Sequence, residues 1–202
     1  MIERPIIFSG PMVRAILEGR KTQDLRIIKP QPDLCGDGSI YFPDRSASRW
    51  KHYVSEGHFI RGVAVDFSPY GQPGDRLWVK ETWCSPMNAF GRELMDYEPF
   101  YQATDDHLPL LHKWSRSIFM PRWASRITLE ITNVRVERVQ EISEDDAKAE
   151  GAERMHLDDL GQSFKSYKRG FQSIWESLHG PGSWDANPLV WVIEFKRVEA
   201  SP

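Results

Sequence analysis

The densest group of reactive side chains in this 202-residue chain lies in Gly19–Arg26, where charged and amide residues dominate. Lys21 and Asp24 stand three positions apart, so an ammonium and a carboxylate can share one site. The first 29 residues are locally basic although the whole chain has a formal net charge of −3; their charged residues are Glu3, Arg4, Arg14, Glu18, Arg20, Lys21, Asp24, Arg26 and Lys29. This pattern favours a binding or reaction site for a small anionic or nucleotide-like ligand.

The elements around this cluster determine how its side chains are presented. Ser9, Pro11 and the apolar residues after them predict a short helix that Gly19 ends, and a strand is predicted to follow up to Ile28. In a regular strand Lys21 and Asp24 would point to opposite faces, so they converge only where the backbone is irregular. An ordinary solvated turn would carry the same residues, and a resemblance favours the functional interpretation.

Gly19-Arg20-Lys21-Thr22 followed by Arg26 resembles the signature of the ASCH superfamily, small PUA-like β-barrel proteins linked to RNA and modified nucleosides. The long form common in bacteriophages and prophages is also similar to this chain over nearly its whole length, and the matching blocks are residues 4–9, 74–79, 120–127, 142–151, 184–188 and 191–196. The resemblance implies an α+β fold, with a PUA-like (ASCH) mixed β-barrel and two or three flanking helices, in one domain over residues 1–202.

The periodicity of the remaining sequence predicts elements that fit such a fold. Alternation predicts strands in residues 76–83, 127–139 and 189–195, and Ser143 to Glu150 predicts a short acidic helix. Helical spacing places a second apolar series in the core: Phe164, Tyr167, Phe171, Ile174, Trp175 and Leu178. Prolines and glycines predict a loop-rich insertion over about residues 29–72, in which Tyr41, Trp50, His52 and Tyr53 either pack against the barrel or line a pocket.

Composition limits the function classes. The net charge argues against coating of nucleic acid, which needs many phosphate contacts, although a local patch remains compatible with RNA. Cys35 and Cys84 form no CxxC pair, so no disulfide partner is expected, and histidine spacing indicates no metal site. We expect no cofactor. No apolar run approaches about 18 residues, so we expect no membrane contact and a cytoplasmic location. The resemblance to the phage and prophage form implies a bacterial or phage-infected cell. The oligomeric state stays open.

Some ASCH proteins that resemble this chain hydrolyse N(4)-acetylcytidine, and this likeness implies three catalytic residues: Lys21, Asp24 and Glu150. Asp24 stands where those enzymes have a nucleophilic Thr, so activity would be reduced or altered. A carboxylate serves more readily as a base for water than as a nucleophile towards an amide. We therefore assign Asp24 to water activation, Lys21 to proton sharing or oxyanion stabilisation, and Glu150 to protonation of the departing amine.

A ligand-binding role is predicted for five further residues: Arg20, Thr22, Arg26, Tyr101 and Arg122. The leading function is amide hydrolysis of a modified pyrimidine nucleoside. The alternatives are a non-catalytic module of phage origin that binds RNA or modified bases, and a metal-independent ribonuclease.

Overall fold

The computed structural model describes residues 1–34, 40–43, 50–53, 68–85, 98–106, 113–156 and 165–198, with the backbone alone for 33–34, 40–43 and 50–53. These ranges contain strands and helices in mixed order, which confirms the α+β prediction. The strands are β1 (Glu3–Ile7), β2 (Gln23–Ile27), β3 (Asp33–Leu34), β4 (Ile40–Pro43), β5 (Trp50–Tyr53), β6 (Arg76–Lys80), β7 (Trp83–Cys84), β8 (Phe100–Tyr101), β9 (Thr128–Arg138), β10 (Met155–His156), β11 (Lys165–Ser166) and β12 (Leu189–Val198). The helices are α1 (Gly10–Leu17), α2 (Gln102–Asp105), α3 (Glu144–Ala149) and α4 (Tyr167–His179).

A five-stranded sheet in the order β1-β6-β9-β12-β2 is the centre of the described structure. β1 and β6 run parallel, whereas every other neighbouring pair in this sheet is antiparallel. β12 is paired on both sides and buried on both faces, as its continuous apolar sequence predicts. Its side chains alternate between two cores, because Trp191 and Ile193 pack with α1 while Val190 and Val192 pack with α3 and α4.

The sheet is open, which corrects the expectation of a closed barrel for the described residues. Its edge strands β1 and β2 approach each other only through a side chain, since the Arg26 guanidinium donates a hydrogen bond to the Ile7 backbone oxygen at 2.7 Å. The ring of Phe8 lies 5.3 Å from the same guanidinium. A side-chain contact therefore stands where a barrel needs a ladder of backbone hydrogen bonds.

Local sequence explains the helices that surround the site. α1 begins after Ser9 with proline in its first turn, and Gly19 has φ +74°, the left-handed conformation that ends a helix at low cost. The Ser143 hydroxyl accepts a hydrogen bond from the Asp146 N–H at the start of α3, and Ser166 caps α4 in the same way through Arg169. None of the described helices is long and apolar enough to cross a membrane.

Within residues 29–72, β3, β4 and β5 form an antiparallel three-stranded sheet. The side chains of Tyr41, Trp50, His52 and Tyr53 lie outside what the structure describes, so their predicted role stays a prediction. Cys35 and Phe164 also lie outside the described residues, and Cys84 is a buried free thiol.

Candidate functional site

The backbone around Lys21 is irregular, which is the condition for bringing Lys21 and Asp24 together. After Gly19 the chain turns sharply, and the amides of Arg20 and Lys21 both donate to the Ala15 oxygen at 2.8 and 3.0 Å. Lys21 then forms an isolated antiparallel bridge with Glu150, and β2 begins only at Gln23. The break in the strand lets the two side chains meet.

The Lys21 ammonium lies at the centre of a charged cluster. Its Nζ donates to Glu150 Oε2 at 2.5 Å and to the Gln23 backbone oxygen at 2.7 Å, and lies 3.0 Å from Asp24 Oδ1. The Glu150 backbone oxygen lies 3.3 Å from the same nitrogen. Because an ammonium has three hydrogens, these acceptors fully occupy it.

Burial and charge act in opposite directions on Lys21. Burial alone would lower the pKa of its ammonium, but the carboxylates of Asp24 and Glu150 outweigh that effect and raise the pKa. Lys21 is therefore held as a cation with no free lone pair. In this state it can neither attack a carbonyl nor accept a proton, and its role is to hold the two carboxylates.

The pKa of Glu150 is shifted towards neutral pH. Glu150 follows α3 as the C-cap, and its side chain is 6% exposed. Burial raises its pKa to about 7, the charge of Asp24 acts in the same direction, and Lys21 opposes both. Its Oε1 is buried without a hydrogen bond of normal geometry, although the Leu25 amide slightly favours the carboxylate. A carboxyl group in this state can both accept and donate a proton at neutral pH.

Asp24 links two cations. Its Oδ1 faces Lys21, and its Oδ2 accepts a hydrogen bond from Arg26 Nε at 2.5 Å. Both cations lie over the Phe8 ring, at 5.7 Å for Lys21 and 5.3 Å for Arg26. Both oxygens of Asp24 thus face cations, whereas only the Oε2 oxygen of Glu150 does so.

A cavity of about 640 Å³ opens beside the two carboxylates. Asp24 and Glu150 line it at one end, whereas the Lys21 and Arg26 side chains lie behind them and do not line it. The remaining wall is largely apolar and comes from α1, α4 and β10; its apolar members include Met12, Met155, Phe171, Ile174, Trp175 and Leu178. This volume and composition are typical of small-ligand sites.

α4 is a wall of this cavity, which corrects the prediction that its whole apolar series lies in the core. Phe171 and Trp175 are buried, but Ile174 and Leu178 are exposed and face the cavity. Gly170 sets how closely α4 approaches, because a Cβ there would lie 1.9 Å from the Glu153 backbone oxygen. Periodicity identified the apolar face of this helix but could not separate the part that packs from the part that lines a cavity.

The five predicted binding residues fall in different places. Arg20 is exposed and lines the cavity, and Thr22 faces a second cavity of about 730 Å³ on the other side of Arg20. Neither Tyr101 nor Arg122 lines the first cavity: the Tyr101 hydroxyl is buried and donates to the Ala124 oxygen, and Arg122 pairs with Glu3. Burial raises the pKa of Tyr101 to about 12. Their predicted ligand contacts remain predictions.

Arg135 is a charged residue that the sequence analysis missed. It is buried on β9 and forms ion pairs with Glu137, Asp146 and Glu194. Its guanidinium also donates to Gln23 Oε1 at 3.4 Å, so it lies next to the Lys21 cluster. The alternation of β9 gives no signal for it, because Arg135 lies between two buried valines on a strand where polar positions were expected to face water.

Within the described ranges, no group of three or more His, Cys, Asp or Glu side chains is arranged to hold a metal ion. Comparisons of the chain with protein-family models, with curated proteins and with solved structures found no match. The resemblance to the ASCH superfamily therefore stays a prediction.

Proposed function

We propose that this chain is an ASCH-type hydrolase with a PUA-related fold that removes the acyl group from N(4)-acetylcytidine or a similar acylated pyrimidine nucleoside. The observation that carries the proposal is Glu150: a carboxyl group with a pKa of about 7 and one unpartnered oxygen, at the charged end of a cavity with an apolar wall. Nucleoside ligands combine a flat base with polar edges, which suits this division of the cavity.

The reaction needs one water and one group that moves a proton. Ionised Glu150 takes a proton from water while the water oxygen bonds to the acyl carbon, and the carbonyl electron pair moves onto oxygen. Protonated Glu150 then donates that proton to N4 of cytosine as the C–N bond breaks and the carbonyl re-forms. The products are cytidine and acetic acid, which loses its proton to solvent.

The contacts favour Glu150 over Asp24 as the base. Both oxygens of Asp24 face cations, so Asp24 keeps Lys21 and Arg26 in place, and its charge makes Glu150 more basic. Lys21, which does not line the cavity, orients the carboxylates of Asp24 and Glu150. Arg20 is the one Arg or Lys among the described residues that line the cavity, and it is positioned to contact a developing oxyanion or a ligand phosphate.

The test is a chromatographic assay of N(4)-acetylcytidine cleavage at pH 6–9 with the full chain and its Glu150→Gln variant. We expect the rate of the natural protein to rise with an apparent pKa of about 7, and the variant to lose 100-fold or more, on the order expected for loss of a general base. An Asp24→Thr variant tests whether a hydroxyl at the position of the usual nucleophile raises turnover. Cleavage unaffected by Glu150→Gln would contradict the assignment.

Binding without turnover is the second candidate, and the Asp24 contacts favour it. A nucleophilic Thr would occupy position 24 in the enzymes that the chain resembles, whereas here the side chain is fixed between two cations. A titration of the intrinsic fluorescence of the eight tryptophans with N(4)-acetylcytidine separates the two candidates: saturable quenching without product supports binding alone. The remaining alternative, a metal-independent ribonuclease, stays a prediction.

A further inference from the structure

A second surface, outside the cavity, exposes aromatic and apolar side chains among cations. We name it the aromatic surface and define it by six residues: Trp78, Lys80, Ile118, Phe119, Arg122 and Trp123. Phe119 is 72% exposed and Trp123 is 59% exposed, which is unusual for such large apolar groups. Exposed apolar patches of this kind are often interaction sites.

Direct contacts join four of these six residues: Trp78, Lys80, Ile118 and Arg122. Lys80 Nζ lies 5.4 Å from the centre of the Trp78 ring, and the Arg122 guanidinium lies 5.9 Å from the same ring. Lys80 also donates a hydrogen bond to the Ile118 backbone oxygen. Phe119 and Trp123 directly follow Ile118 and Arg122 in the chain, and the buried Met120 lies between the two pairs.

The local backbone explains why these rings point outward. Two consecutive 3-10 turns, Ser117–Phe119 and Arg122–Ala124, bury only Met120 and Ala124 and turn the larger side chains to the outside. Trp123 packs edge-on against Trp83 with ring centres 5.6 Å apart, which holds it in place while one side stays open. The Trp123 ring is therefore held before any partner binds, which lowers the entropic cost of stacking on it.

Charge identifies the class of partner. Residues 113–126 contain no Asp or Glu, in a chain whose net charge is −3; their cations are Lys113, Arg116, Arg122 and Arg126. Arg122 pairs with Glu3 and Arg126 with Glu81. Lys80 and Arg116 have no carboxylate partner among the described residues, so they remain available to an anion.

We infer that the aromatic surface binds single-stranded nucleic acid, with bases stacked on Phe119 and Trp123 and phosphates near Lys80 and Arg116. Flat exposed rings bordered by cations are how proteins hold unpaired bases without reading their sequence. A duplex hides the faces of its bases and could use only the cations. The inference does not depend on hydrolysis, and a binding protein would use the surface equally well.

β1 links the aromatic surface to the charged cluster beside the cavity. Ile7 is the register partner of Lys80, and its backbone oxygen accepts the hydrogen bond from Arg26, which holds Asp24. Ser9, two residues further on, lines the cavity. The segment from Ile7 to Ser9 would therefore connect a nucleic acid bound near Lys80 with the cavity.

Fluorescence anisotropy with the full chain tests the inference, using labelled 12-nucleotide single strands of RNA and of DNA and a 12-base-pair duplex. We expect both single strands to bind more tightly than the duplex, and the stronger of the two to identify the natural ligand. Phe119→Ala should weaken single-strand binding about 5- to 100-fold and leave its salt dependence unchanged, because a stack and not a phosphate contact is lost. Phe119→Tyr should restore affinity.

Two cation variants complete the design. Arg116→Ala should lower the slope of log K against log salt by roughly 0.7, the value for one phosphate contact on a single strand, and Arg169→Ala on α4 is the matched control with no expected change. Equal losses in both would indicate net charge alone and overturn the inference. Binding indifferent to Phe119→Ala would also overturn it, as would self-association of the chain, seen by sedimentation, that Phe119→Ala abolishes.

Discussion

Two buried cations, Lys21 and Arg135, reach Gln23 from opposite sides and hold the two ends of α3. Lys21 holds Glu150 at the C-terminal end, and Arg135 holds Asp146 in the first turn. They differ in access to water: the side chains of Asp24 and Glu150 are 3% and 6% exposed, whereas the three carboxylates around Arg135 are 26–37% exposed.

The paired cation lowers the carboxyl pKa in both clusters, but the difference in burial decides the direction of the net shift. Burial opposes ionisation of Asp146, but hydrogen bonds from Ser143 and the charge of Arg135 outweigh it and lower the pKa. At Glu150 burial wins and the pKa rises. The helix dipole acts in the same two directions, because it favours negative charge at the start of α3 and disfavours it at the end. The Arg135 cluster is thus structural, and the Lys21 cluster keeps a proton that can be exchanged near pH 7.

Removal of Lys21 should have the largest effect on stability. Lys21→Met leaves the buried Glu150 carboxyl without a counter-ion and Asp24 with Arg26 alone, and breaking a buried pair typically costs about 3–5 kcal/mol. Urea unfolding at pH 7 measures the loss, and the double variant Lys21→Met, Glu150→Gln should recover part of it because one charge is gone. A single variant as stable as the natural protein would show that water reaches this cluster freely.

The second largest effect should be the contribution of Glu150 to the pH dependence of the free energy of unfolding. Its folded-state pKa of about 7 exceeds the ordinary 4.5, so the stability it confers is fully present below pH 4.5 and is lost as the pH rises to 7. A shift of this size corresponds to at most about 3 kcal/mol. Unfolding free energies of the natural chain and of Glu150→Gln between pH 5 and 8 should therefore diverge; parallel curves would contradict the raised pKa.

Removal of Arg135 should cost less than removal of Lys21. Arg135→Met removes the cation that three carboxylates share, but each carboxylate can be hydrated instead. We therefore expect the free energy of unfolding to fall by about 2 kcal/mol, within the range for hydrogen bonds to charged groups. The apparent pKa of Glu150, followed by carbon-13 NMR of labelled glutamate, should stay near 7. If that pKa moved as far as it does when Asp24 is replaced by Asn, the two clusters would form a single unit.

Sequence periodicity predicted α1, α3 and the three long strands because local rules decide them: caps, glycines and alternation. The contact between Lys21, Asp24 and Glu150 followed from resemblance alone, since residues 129 positions apart in sequence share no local signal. Closure of the sheet could not be predicted, because it depends on whether Arg26 or a backbone ladder joins the two edge strands.

The roles within the site also needed the structure. Asp24 and Glu150 are both acidic residues in the sequence, and only their surroundings separate a carboxylate fixed by two cations from one with a free oxygen. Alternation predicted the strand that carries Arg135 but gave no position for its side chain, which pairs with Glu137 on the same strand and with Asp146 and Glu194 further along the chain. Long-range electrostatics, and not local propensity, set both features.

The residues of α4 that line the cavity differ in how freely they can be substituted. No side chain fits at Gly170, so the approach of the helix is fixed by its backbone. Ile174 and Leu178, one turn apart and already in contact with water, contribute little to folding. Replacement of these two residues should therefore change the size of ligand that the cavity accepts and leave the charged cluster at Asp24 and Glu150 unaltered.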